Sequence, residues 1–220
     1  MAPPAIFAIT CHEVAHGWVA SRYGDQTARM LGRLTLNPVP HMDPMGTIIL
    51  PIALAVMGAP IIGWAKPVPV NPQNLREPKK HWGYVAAAGP VTNLLLAAAC
   101  GLLLNIVFIA MPVEITPDGI ALNSFAGPLI LMLKWGIQIN VMLAVFNLLP
   151  IPPMDGSKVA ISLLPMPYAG WFMRLEQFGF LPLMLIFLIP TTNRMLGNIV
   201  FPVSSALLKF FVALPSYIFS

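Results

Sequence analysis

"MGTIILPIALAVMGAPIIGW", residues 45–64, carries no charged residue and is as long as a membrane span. A spanning helix needs about 20 mostly apolar residues. Whether this stretch crosses decides on which side every later segment lies. Pro51, Gly58, Pro60 and Gly63 break it into short pieces. Two short halves predict a re-entrant hairpin, a shape tolerated where protein or a water-filled cavity shields the backbone.

The charges around the stretch argue the same way. If 45–64 does not cross, the loops at 22–44, 66–81 and 150–170 share one side. That side holds Arg22, Arg29, Arg33, Lys66, Arg76, Lys79, Lys80 and Lys158, with Arg174 at its edge. The opposite loop, 112–125, has Glu114 and Asp118 and no basic residue. Basic residues mark the cytoplasmic side, so the N-terminus lies outside. A crossing at 45–64 would move Lys66, Arg76, Lys79 and Lys80 to the other face and weaken this asymmetry.

Outward from the hairpin, the chain is apolar throughout. Of its 220 residues, 57% are hydrophobic and 9% charged, against about 25% charged in an average soluble domain. Spans are expected at 3–21, 82–111, 126–149, 171–190 and 195–214. The fold class is an all-α membrane protein of about five transmembrane helices plus the hairpin. No soluble stretch is long enough to build a core, so residues 1–220 read as a single membrane-embedded domain. Its catalytic core covers about 3–160 and its C-terminal helices about 171–214. The net charge of +4 is small and scattered, which excludes nucleic acid as a partner and suits loops beside a bilayer. Cys11 and Cys100 form no disulfide framework and read as buried thiols. The first residues lack the basic leader of a signal peptide, and "MAPPAIF" is an abrupt start.

Chemistry enters at residues 9–20, "ITCHEVAHGWVA". An ionised side chain near the middle of a spanning helix costs about 2.5–3.5 kcal/mol, so such residues tend to be paired or functional. His12-Glu13-Val14-Ala15-His16 has the H-E-x-x-H spacing. Positions i and i+4 share a helix face, so the two imidazoles can grip one metal ion and the glutamate can act as base on its water. A catalytic zinc takes a third protein ligand. His41, Asp43 and Asp155 are the candidates. With the hairpin topology, Asp155 arrives at the same inner face as His12 and His16. With a crossing it would lie about 30 Å of hydrocarbon away.

"HEVAH", "AAAGPVTNLLLA" at 86–97 and "FNLLPIPPMDG" at 146–156 resemble the site-2 protease family of intramembrane zinc metalloproteases. "HMDPMGT" at 41–47 and "GWAKPVPVNP" at 63–72 resemble its compact bacterial branch, which lacks PDZ and CBS modules. The resemblance implies one zinc ion per chain held by His12, His16 and Asp155, with Glu13 as catalytic base. It implies transmembrane protein or peptide substrates, cut near the cytoplasmic face of the bacterial inner membrane. The usual Leu-Asp-Gly is Met154-Asp155-Gly156 here, a swap that changes little volume.

Asn93 and Asn147 are amides inside apolar helices. Each can face the active site and hold a substrate carbonyl, or join helices by a hydrogen bond. His41 and Asp43 are placed in the active-site neighbourhood by resemblance alone. "LGRLTLNP", residues 31–38, alternates apolar and polar residues. It can be a short edge strand that pairs with unwound substrate, or a plain loop. The reading from a different class is a divalent-metal transporter or metal-sensing membrane protein. Transporters show internal repeats or paired broken helices, which this sequence lacks.

Overall fold

The computed structural model describes residues 2–58, 63–110, 114–116, 119–121 and 126–218. Helix α1 (Ala2–Arg22) is followed by a single turn, α2 (Thr27–Met30). A wide helical turn at Pro44–Ile49 runs into α3 (Leu50–Val56). The long α4 (Pro78–Ala110) leads to two paired strands, β1 (Glu114–Thr116) and β2 (Gly119–Ala121), joined antiparallel. Then come α5 (Ala126–Asn147), α6 (Asp155–Leu163), α7 (Met166–Glu176), α8 (Leu181–Leu188) and α9 (Pro190–Ile218). Asp118, counted in the acidic loop, lies outside the described residues.

Among the described residues, α4, α5 and α9 are long and apolar enough to cross a membrane. They pack together through a core of Ala97, Leu104, Ile130, Ile137, Val141, Val200 and Phe211. Helix α1 packs against α4 and α5. It has the length of a span, but its ionisable motif makes it less apolar than those three. The expected span at 171–190 is broken. Helices α7 and α8 meet at 81°, and neither alone is long enough to cross. Gly179 supplies the break with φ +55, a left-handed conformation that other residues adopt at a cost. Pro182 then opens the new helix, where its missing N–H is not needed.

The 45–64 segment returns to its origin. The Trp64 N–H donates to the Gly46 carbonyl at 3.1 Å, and the Thr47 hydroxyl donates to the Trp64 carbonyl at 2.9 Å. Two ends bonded to each other cannot stand on opposite faces of a hydrocarbon layer about 30 Å thick. The hairpin reading holds at its base; residues 59–62 of its far end lie outside the described residues.

The strand expected near 31–38 does not form. Its polar side chains bond locally and turn the chain. The Asn37 N–H donates to Thr35 Oγ1 and the Val39 N–H to Asn37 Oδ1, both at 3.1 Å. His41 Nε2 donates to the Thr35 carbonyl at 2.9 Å. Such local bonds compete with a sheet ladder. Alternation over so few residues says nothing about whether a partner strand exists.

Candidate metal centre

His12 and His16 lie one helical turn apart on α1, facing α4 and α6. Asp155 is the first residue of α6, where a carboxylate is favoured by the helix dipole. Asp155 Oδ2 lies 3.1 Å from His12 Nε2 and 3.2 Å from His16 Nε2. All three residues are buried. Gly156 lets this corner close: a Cβ there would collide with the carbonyls of Leu148 and Leu149. The other carboxylate oxygen, Oδ1, is 3.3 Å from Lys158 Nζ.

The far side of each imidazole is occupied. His16 Nδ1 donates to the Val85 carbonyl at 2.7 Å, and His12 Nδ1 donates to Asn93 Oδ1 at 2.6 Å. Both Nε2 lone pairs therefore point at Asp155 Oδ2. Three electron-pair donors converge, and only positive charge satisfies them: a cation, or protons in its place. In a tetrahedron with metal–ligand bonds near 2.0–2.1 Å, ligand atoms stand about 3.3 Å apart. The His–Asp separations match that spacing. Gly89 forms the remaining wall, since a Cβ there would lie 2.5 Å from His16 Nε2 and 2.6 Å from His12 Nε2. Among the described residues, this group fits one divalent ion of nitrogen- and oxygen-ligand preference.

The three converging side chains open onto a cavity of about 260 Å³, also lined by Glu13, Val68, Val85, Asn147 and Lys158. One wall is an extended strap, residues 65–71. The Val68 N–H donates to Glu13 Oε2 at 2.7 Å, which fixes one carboxylate oxygen. Arg33 Nη2 grips the strap through the carbonyls of Lys66 (2.8 Å) and Pro67 (3.3 Å). Asp25 holds the other end by accepting the Asn71 N–H at 2.7 Å. Asp25 is fully buried and also accepts from Thr27 and from Asn74 Nδ2. Burial alone would raise its carboxyl pKa; the hydrogen bonds from Thr27, Asn74 and Asn71 outweigh it and hold the group below its ordinary value.

A profile of peptidase family M50 matches residues 5–170. The chain belongs to peptidase family M50. The M50 chain is 36% identical over 209 residues to YwhC of Bacillus subtilis (strain 168), a protein named as a candidate zinc metalloprotease. That match covers 95% of this chain and 89% of the relative. It is 28% identical over 204 residues to Rip2 of Mycolicibacterium smegmatis, named likewise, covering 89% of this chain and 69% of the relative. No solved structure matches. The site-2 protease resemblance is thus borne out, and the chain is a multi-pass membrane metalloprotease of M50.

Not every residue singled out in the sequence reaches this M50 site. Asn93 meets His12, and Asn147 lines the cavity while its Nδ2 donates to the Leu143 carbonyl at 2.9 Å. His41 and Asp43 do not line it. His41 braces the 35–41 turn, and its carbonyl accepts the Lys66 N–H at 2.9 Å, at the foot of the strap. Asp43 caps the wide turn by accepting the Gly46 N–H at 2.8 Å. Sequence reasoning missed Lys158, Val68 and Asn140. Lys158 stands three residues after Asp155, on the same helix face. Asn140 stands seven before Asn147, again on one face. Val68 acts through its backbone and leaves no residue signal.

Proposed function

We propose that this protein is an intramembrane zinc metalloendopeptidase that hydrolyses peptide bonds of transmembrane substrates near the cytoplasmic face. The observation that carries the reading is the convergence of His12 Nε2, His16 Nε2 and Asp155 Oδ2 beside Glu13. One zinc ion, held by these three side chains, would polarise the scissile carbonyl and make water a nucleophile near neutral pH. Glu13 takes the proton from that water and passes it to the leaving amine. Its Oε2 is fixed by the Val68 N–H, so Oε1 is the oxygen left to move the proton. Asp155 would offer Oδ2 to the metal, while Lys158 meets Oδ1 and holds the carboxylate in one orientation. Asn147 lines the same cavity and supplies an amide for the substrate backbone. The basic residues of the loops beside the site support an orientation towards the cytoplasm. The chain acts as one membrane-embedded domain.

The test is metal analysis and proteolysis on purified protein. Glu13→Gln retains zinc and loses about 100–10,000-fold in cleavage rate of a transmembrane substrate. Asp155→Ala loses the zinc. Cleavage that survives Glu13→Gln would overturn the reading. Metal flux through proteoliposomes that survives it, with no peptidase activity in the parent, would establish a transporter instead.

A further inference from the structure

Four groups from three helices form a line behind the metal centre. His12 Nδ1 meets Asn93 Oδ1 at 2.6 Å. Asn93 Nδ2 donates to Asn140 Oδ1 at 2.8 Å and to the Ala8 carbonyl at 3.3 Å. Asn140 Nδ2 donates to the Gly136 carbonyl at 2.8 Å. His12, Asn93 and Asn140 are all buried, Asn93 completely.

A side-chain amide can turn over and exchange its oxygen and nitrogen, so each amide in such a line has two orientations. Here the far end removes the choice. A backbone carbonyl only accepts, so Asn140 must aim its NH2 at Gly136 and its oxygen at Asn93. Asn93 must then aim its NH2 at Asn140, and the Ala8 carbonyl asks for the same. That leaves the Asn93 oxygen for His12, which must carry its proton on Nδ1. The bare nitrogen is Nε2, the one facing His16 and Asp155. Any reversal would bury two like groups against each other at a cost of about 1–3 kcal/mol per unmet group.

We propose that Asn140 is a positioning residue: through Asn93 it imposes the Nδ1–H tautomer on His12 and so keeps Nε2 free for the metal. Asn140 touches neither metal nor substrate. It works because α5 carries a fixed carbonyl to the back of a ligand on α1, with α4 between them. Partners behind ligating histidines commonly contribute about 10–100-fold to metal affinity. The proposal rests on the metal reading above, and its test separates the two.

Two variants of similar volume distinguish polarity from packing. Asn140→Leu fills the space but offers Asn93 no acceptor. Asn140→Asp, buried and therefore neutral, offers its carbonyl oxygen to Asn93 and its hydroxyl to Gly136, preserving the direction of the line. Zinc affinity, measured by chelator competition, is expected to fall about 10–100-fold in Asn140→Leu and to stay near the parent value in Asn140→Asp. If Asn140 only packs, the apolar leucine is the better tolerated, and that order overturns the proposal. A second measurement needs no metal. In metal-free Asp155→Ala protein at alkaline pH, no carboxylate competes for the His12 proton. Nitrogen-15 NMR, assigned against a His12→Gln sample, is expected to show the Nδ1–H tautomer, which is disfavoured for histidine in water. The Nε2–H form there would overturn the proposal even if the Asn140 variants failed to fold. A parent that shows the Nδ1–H line but binds no zinc would sink the metal reading and leave the relay standing.

Discussion

Gly89 leaves no room for a side chain against the two imidazoles. A methyl group there would sit 2.5–2.6 Å from Nε2 of both His16 and His12. The rings cannot retreat without breaking their bonds to Val85 and Asn93. Gly89→Ala is therefore expected to cut bound zinc at least about 10-fold, the scale of a displaced ligand, read by metal analysis of the purified variant. Full zinc occupancy in that variant would mean the imidazoles do not lean on α4. At this scale the sequence was legible where residue types and spacing carry meaning. The histidine pair is visible because i and i+4 share a face, and Asp155 because topology delivers it to the same end. Asn140 was not legible: an amide in a span reads equally as helix packing, and its partner lies 47 positions away. Val68 was invisible because any residue but proline brings the same N–H.

Among the elements, the strap at 65–71 depends on groups far from it in sequence. Asp25 anchors one end and Arg33 the other. Asp25→Ala leaves the Asn71 and Thr27 donors unmet, and a loss of about 3 kcal/mol is expected, since hydrogen bonds to a charged group are worth about 1.5–3 kcal/mol each. Thermal unfolding of the variant measures it; an unchanged midpoint would show that the strap needs no anchor there. The pH dependence has a definite sign. A carboxyl held below its ordinary value of 3.8 contributes stability that is full above that value and is lost as pH falls through the lower, folded one. The parent is thus expected to lose stability on acidification below pH 3.8, and Asp25→Asn to lose less over the same range. Helix existence was readable from long apolar runs. The joint between α7 and α8 was not: one glycine among apolar residues looks the same in a straight span as in a bend. The strand expected at 31–38 failed for a related reason, because a strand is a property of two segments and alternation describes one.

For the whole molecule, the distribution of charge argued for the hairpin at 45–64, whose tied base agrees with it. It predicts that cysteines introduced at Arg76 and Thr116, in a protein with Cys11 and Cys100 replaced by alanine, react with a membrane-impermeant maleimide from opposite sides. Labelling of both from one side would contradict the passage of α4 across the bilayer. The 33 residues of α4 amount to about 50 Å of helix, more than a bilayer core requires. The tied base of the 45–64 hairpin carries a further consequence. Once Gly46 and Trp64 are fastened, the chain between them is a closed loop that contributes none of His12, His16 and Asp155. Doubling such a loop costs only about 0.6 kcal/mol of closure entropy. An epitope spliced in after Gly58 should leave zinc content untouched, and homologues are free to differ there in length while the catalytic spacing stays constant.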